Sequence, residues 1–230
     1  MTQAFHRGLM WVATIILLFA LAVLCAYAYN LINFPYDYDQ GEGFELVDTI
    51  LFSEFRYPYQ NTDSYPYYSS NYPPLYHVIA APFVWIFGEA YWYGRLLSFI
   101  STLIASLAIF YAVNKETQHR WIAALSALAF LSSNTVYHIA PLLRQQIMMV
   151  MFETIAVVIL AYAVPKKQNR WILVGLLLII FAGYTKQLAA FTAIAVLVWM
   201  FLRNPYQAIV WGVRFALAGG LIFLWLTIDT

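Results

Sequence analysis

The residues best placed to do chemistry in this chain are acids. Seven of its eleven Asp and Glu fall between Asp37 and Asp63. The densest run is Tyr36-Asp37-Tyr38-Asp39-Gln40-Gly41-Glu42-Gly43-Phe44-Glu45-Leu46-Val47-Asp48, directly after a long apolar segment. A carboxylate held beside a hydroxyl or amide can take its proton, and two together can hold a divalent cation on a phosphate. Glu42 and Asp39 are the candidates for that work. Glu42 stands at a loop-to-helix junction, where a side chain is aimed rigidly. Asp39 lies three residues earlier, on more flexible backbone. The alternative role of these acids is to solvate the loop, cap the helix and enforce topology. Glu45, Asp48, Glu54 and Asp63 read as a solvated face.

Positive charge that could meet an anion lies far away along the chain. Arg144, followed by Gln145 and Gln146, opens an apolar helix, where a guanidinium, two amides and the helix dipole together make an anion site. Lys186 sits in the short turn Gly183-Tyr184-Thr185-Lys186-Gln187 between two apolar helices, a setting that suits a lipid-linked phosphate. Snorkelling to the membrane edge is the plain alternative for both. Arg95 could join them or serve as a positional anchor. His77 and His138 are weak metal-ligand candidates. Glu153, inside an apolar helix, is costly in lipid and is expected to face the bundle interior.

The elements that must position these groups are helices in a bilayer. The chain is 63% hydrophobic and only 10% charged, with mean hydropathy +0.69. A soluble domain carries about 25% charged residues. The basic residues are scattered at segment ends, which gives no nucleic-acid footprint. The lone Cys25 excludes an intrachain disulfide. Apolar windows able to cross about 30 Å of hydrocarbon fall near 9–30, 94–113, 121–139, 147–164, 171–184, 187–202 and 208–228. The predicted class is therefore all-α, a polytopic bundle of about seven spans in one domain, residues 1–230. Residues 72–87 are read as an interfacial helix. With that helix lying on the surface and the N-terminus in the cytoplasm, the inner loops collect seven of the twelve Lys and Arg, as the positive-inside bias requires. The outer face then receives a first loop at 31–93 and shorter loops near 139–146 and 183–187. Phe44, Val47, Ile50, Leu51 and Phe55 recur at helical spacing, which predicts an amphipathic surface helix over about 43–56.

Taken in order, the acidic motif, the surface helix, Asn71-Tyr72-Pro73-Pro74-Leu75-Tyr76, Gly94-Arg95-Leu96-Leu97-Ser98, Ala140-Pro141-Leu142-Leu143-Arg144 and Tyr184-Thr185-Lys186-Gln187 form a pattern. It resembles the N-terminal half of GT-C-type glycosyltransferases of the protein mannosyltransferase and aminoarabinose transferase kind. The resemblance covers about residues 10–200. It implies a polyprenyl-phosphate-linked sugar donor, transfer at the outer face, and a catalytic acid in the first outer loop, which maps to Glu42 or Asp39. It also implies donor-phosphate binders at Arg144 and Lys186, with Arg95 and Gln146 beside them. Relatives place an aspartate where this chain has Gln146, and an amide binds metal poorly, so Mg or Mn on the donor phosphate stays an open alternative. Such enzymes are usually longer, so the chain is read as the N-terminal part of one. The setting implied is a bacterial or archaeal cell membrane, with the acceptor unspecified. The rival readings are a non-catalytic polyprenyl-phosphate binder or flippase component, and a transporter that uses Glu153.

Overall fold

A computed structural model describes residues 2–56, 58–63, 65 and 67–228. Every regular element among them is helical: α1 (Thr2–Ile32), α2 (Gln40–Ser53), α3 (Leu75–Phe87), α4 (Trp92–Thr117), α5 (Arg120–Leu131), α6 (Asn134–Ile139), α7 (Gln146–Ala163), α8 (Asn169–Thr185), a 3-10 turn (Gln187–Ala189), α9 (Ala190–Arg203) and α10 (Pro205–Ile228). Four segments are long and apolar enough to cross a membrane, namely Gln3–Ile32, Trp92–Thr117, Gln146–Ala163 and Pro205–Leu224. The other expected spans correspond to shorter helices. α8 has 17 residues, α9 has 14 and α5 has 12. At 1.5 Å per residue these reach roughly 18–26 Å. The apolar run at 121–139 is broken because Ser133 leaves the helix and its hydroxyl accepts from the Val136 N–H at 3.4 Å, starting α6 afresh.

Small residues set how closely these helices approach, as is usual in lipid. Ala105 of α4 and Ala123 and Ala127 of α5 are buried, and the Ser106 hydroxyl of α4 donates to the Ala127 carbonyl at 3.1 Å. Between α7 and α8, a side chain on Gly175 would run into Leu160. Ala156, Leu160, Ile172, Leu176, Met200 and Trp211 form a core across α7, α8, α9 and α10. By contrast, Trp11, Ile15, Phe19, Phe191 and Leu202 stand exposed, as lipid-facing side chains do.

The 33–91 segment closes one end of the bundle. Its helix α2 starts at Gln40 because the Asp39 carboxylate caps it, accepting from the Gly41 N–H at 3.0 Å. Tyr72-Pro73-Pro74 delays α3 until Leu75, since neither proline can donate to a preceding turn. Trp85 then ties α3 to the end of α2, its indole N–H donating to the Ser53 carbonyl at 2.6 Å.

One expectation for α2 is overturned. Periodicity found a helix here, which runs Gln40–Ser53 rather than 43–56, but assigned its faces the wrong way round. Glu42, Glu45, Asp48, Thr49 and Ser53 are the buried face, while Phe44 is 52% and Val47 44% exposed. Glu45 and Asp48 therefore do not solvate the loop. The physical reason is that a helix at the edge of a membrane protein can bury its polar stripe against other polar groups of the bundle. Its apolar stripe is then free to face lipid.

Candidate active site

Three stretches remote in sequence meet beneath α2. Arg144, in the turn before α7, donates from one Nη to the Asp39 carboxylate at 2.6 Å. The guanidinium lies flat against Gly41, where any Cβ would collide with it. The backbone of Arg144 is held by α4, because the Ser98 hydroxyl donates to its carbonyl at 3.0 Å. Asp39 has its carboxyl lowered from the usual pKa, first through the Gly41 N–H it accepts and then, against burial, through Arg144. Its side chain is 42% exposed, so a ligand arriving from outside the bundle can touch it.

Glu42 is placed differently. It is 0% exposed, and its two oxygens accept four N–H bonds: from Tyr38 at 2.9 Å, from Leu143 at 2.7 Å, and from Arg95 at 2.9 and 2.7 Å. Arg95 is also 0% exposed. Besides its two bonds to Glu42, it donates to the carbonyls of Leu31 at 2.6 Å, Phe34 at 2.5 Å and Tyr36 at 2.7 Å. A guanidinium has five N–H donors, and here all five are spent. Arg95, expected beside the donor phosphate, therefore has no donor left for one. Its place in the fold is a clamp between the end of α1, the loop that follows and Glu42.

Deeper under α2 lies a polar cluster that the sequence reading did not assemble. Burial pushes the Glu45 carboxyl up to about 7, and the charges of Arg144 and Lys186 are close enough to oppose that rise. Burial also raises Asp48, against hydrogen bonds donated by Ser70 at 2.6 Å and Tyr68 at 2.7 Å. His77 of α3 stacks on Phe52, with its Nε2 3.3 Å from Glu45 Oε2 and 3.8 Å from Asp48 Oδ2. Lys186 is buried, its ammonium 4.7 Å from the centre of the Tyr72 ring, and burial lowers its pKa. The Gln187 amide next to it donates to the Asn71 carbonyl at 3.2 Å, joining this turn to the first loop.

Buried polar atoms without a hydrogen-bond partner gather in the same region. They are Glu45 Oε2, His77 Nε2, both amide atoms of Gln145, and Gln146 Oε1. Unpaired buried polar groups are costly, and α7 begins here with no side-chain cap on its first N–H groups. Arg144, Lys186, Gln145 and Gln146 thus surround a polar interior with hydrogen-bonding capacity to spare. Among the described residues no group of three or more His, Cys, Asp or Glu is arranged to hold a metal ion. His138 is exposed at the end of α6, and Glu153 is half-buried within α7.

Next to Lys186 opens an apolar cavity of about 1190 Å³. Its walls come from the first loop, including Phe52, Tyr72 and Pro74, and from α8, α9 and α10, including Ile180, Ala193 and Phe223. Lys186 does not line it, but falls in sequence between the lining residues Tyr184 and Gln187, and its ammonium stacks on the lining Tyr72.

The residues missed in the sequence left some signal. Glu42, Glu45 and Thr49 share one helical face, and a polar stripe opposite an apolar one shows that a helix has two different neighbours without saying which neighbour is lipid. The partners Arg95 and Leu143, 53 and 101 residues away from Glu42, left none.

No curated protein and no solved structure matches the chain. A family model does match it, that of the dolichyl-phosphate-mannose-protein mannosyltransferases, across residues 71–228. The match takes in α3 to α10, with Arg95, Arg144, Gln146 and Lys186 inside it, and leaves Asp39 and Glu42 upstream. With its all-helical fold, its four membrane-length helices and a family match over more than half its length, this multi-pass membrane chain belongs to the dolichyl-phosphate-mannose-protein mannosyltransferase family of glycosyltransferases.

Proposed function

We propose that the chain transfers a sugar from a polyprenyl-phosphate-linked donor to an acceptor at the outer face of the membrane, with Asp39 as the base. In this reading Asp39 takes the proton of the acceptor hydroxyl or amide as that atom attacks the anomeric carbon. The bond from that carbon to the phosphate oxygen breaks, and the polyprenyl phosphate leaves with the electron pair. Arg144 and Lys186 hold the phosphate and stabilise the charge that grows on it, and Gln146 offers an amide to phosphate or sugar hydroxyls. The single observation that carries this is the placement of a partly exposed carboxylate, Asp39, 2.6 Å from Arg144 at the mouth of a polar interior whose buried atoms lack partners.

Glu42 does not suit the role of base, because all its bonds go to N–H donors of the fold and no acceptor can reach it. It holds α2, Leu143 and thereby Arg144 in register. The prenyl chain of the donor fits the apolar cavity, with its phosphate at the Lys186 end. In the membrane α5 with α6, α8 and α9 complete a seven-span topology, with the N-terminus in the cytoplasm and the α2 end of the bundle outside. The lysines and arginines at 115–120, 166–170 and 203 then face inward.

The test is donor binding and transfer by the chain in lipid nanodiscs, using labelled dolichyl-phosphate-mannose, with and without Mg or Mn. Arg144→Met and Lys186→Met should each lose donor binding while folding is kept. Wild-type binding by both variants would refute the site. Binding retained with transfer indifferent to Asp39→Asn would favour the non-catalytic lipid-phosphate binder instead.

A further inference from the structure

His77 and Glu45 present an arithmetic of protons that the proposed chemistry does not use. The Thr49 hydroxyl has one proton and donates it to the Glu45 carbonyl at 2.7 Å. His77 Nδ1 lies 3.0 Å from that same hydroxyl oxygen. The carbonyl is the closer acceptor of the hydroxyl proton, and the Glu45 backbone also accepts from His77. This arrangement favours the Nδ1–H tautomer, in which a neutral imidazole carries a bare lone pair on Nε2. That lone pair faces Glu45 Oε2 at 3.3 Å. Both atoms are buried and neither has a well-formed hydrogen bond; the Gln145 amide also acts on Glu45, and Asp48 Oδ2 lies farther from Nε2, at 3.8 Å. Two acceptors facing each other inside a protein repel, whereas a proton between them turns the contact into a hydrogen bond.

We propose that Glu45 and His77 share one buried proton, and that this proton keeps the interior beside Arg144 and Lys186 positive, making anion capture there dependent on pH. The pair is a positioning element and touches no reacting atom. The second half of the proposal rests on the donor-site reading above; the first half does not. Burial pushes His77 down to about 3 and Glu45 up to about 7, so the proton resides on the carboxyl. The other groups facing Glu45 are Asp48 on its own helix, Tyr76 on α3, Tyr68 in the first loop, Arg144 and Gln145 before α7, and Lys186 after α8. Asp48 is already served by two hydroxyl donors, Tyr68 and Ser70, so it makes no claim on the proton. While the pair holds its proton, Arg144 and Lys186 act on an incoming anion undiminished. As pH rises through about 7, the proton leaves and a negative charge appears beside them.

The experiment has two readouts on the same nanodisc samples. Infrared difference spectra taken between pH 6 and 8 should show an undissociated carboxylic acid that titrates in the wild type and is absent in Glu45→Gln. The same series measures binding of farnesyl-phosphoryl-mannose, a phosphodiester whose charge does not change over this range. Wild-type affinity should fall about tenfold as the pair ionises, the size expected of one close charge. Glu45→Gln, whose amide can still donate to Nε2, should bind as the protonated wild type does and show no pH dependence. Should Glu45→Gln fail to fold, His77→Gln gives the same test, because the acid band must then shift. A wild type without the titrating acid, or with the band surviving in Glu45→Gln, overturns the shared proton. A titrating acid accompanied by pH-independent binding overturns the positioning role. A titrating acid with no probe binding at any pH overturns that role and the donor-site reading together, and leaves the proton pair standing.

Discussion

Asp39→Asn and Glu42→Gln should fail in opposite ways, and the difference decides which acid is the base. Each substitution swaps a carboxylate for an amide of nearly the same shape. At Glu42 the carboxylate accepts four N–H bonds and is the counter-charge of a fully buried Arg95. A glutamine has one acceptor oxygen, so its NH2 group must face N–H donors, and the Arg95 charge is left buried without a partner. Breaking such a pair costs about 3–5 kcal/mol. At Asp39 the partner is a partly exposed Arg144, and screening by solvent limits the cost to about 1 kcal/mol or less. Asparagine also remains a good helix cap. The rate should nevertheless drop about 10²–10⁴-fold, because the amide cannot take the acceptor proton. Unfolding of the purified variants in detergent gives the first quantity, and transfer from labelled dolichyl-phosphate-mannose the second. Asp39→Asn running at the wild-type rate would refute the assignment. A Glu42→Gln protein as stable as wild type yet inactive would transfer the role to Glu42.

Other outcomes follow from the same geometry. Gly41→Ala should leave stability level or slightly raised by better helix propensity, yet weaken donor binding, because the new methyl takes the place of the Arg144 guanidinium; titration of the donor analogue reads this. Lys186→Met should cost about 2–4 kcal/mol of donor affinity and transition-state stabilisation, seen as a loss in kcat/KM without a change in unfolding. Asp39 must be ionised to act, and its pKa lies below the ordinary 3.8. The acid limb of the rate profile should therefore fall below that value. The small stability contribution of Asp39 is present above its unfolded pKa and is lost as pH drops through the folded one. Ala193→Trp should fill the apolar cavity, raising KM for a long-chain donor while sparing a short-chain one.

Much of the architecture was open to reading because bilayer physics is one-dimensional. A run of apolar residues must span or lie flat, and the basic loops choose the side. That located the long apolar helices and brought the acidic loop and Arg144 to one end of the bundle. What escaped was anything that depends on which neighbour a helix face meets. The stripe of Phe44 and Val47 reads identically whether it packs on protein or on lipid, and the choice inverted the fates of Glu45 and Asp48. Arg95 was equally opaque, since a buried clamp and a phosphate ligand call for the same residue type. Only coordinates show that its donors are spent. The serine break between α5 and α6 is faint too, because Ser132 and Ser133 are tolerated inside membrane helices.

The Arg95 hub also fixes the order in which the protein can be made. The end of α1 and the loop behind it leave the ribosome some 60 residues before the arginine that gathers their carbonyls, and Leu143 and Arg144 follow only after another helical hairpin. Before Arg95 is made, Glu42 has none of its guanidinium bonds. A nascent chain therefore completes its centre only after Arg144 has been made. Lesions at this arginine would then show themselves as chains cleared by quality control more than as slow catalysts.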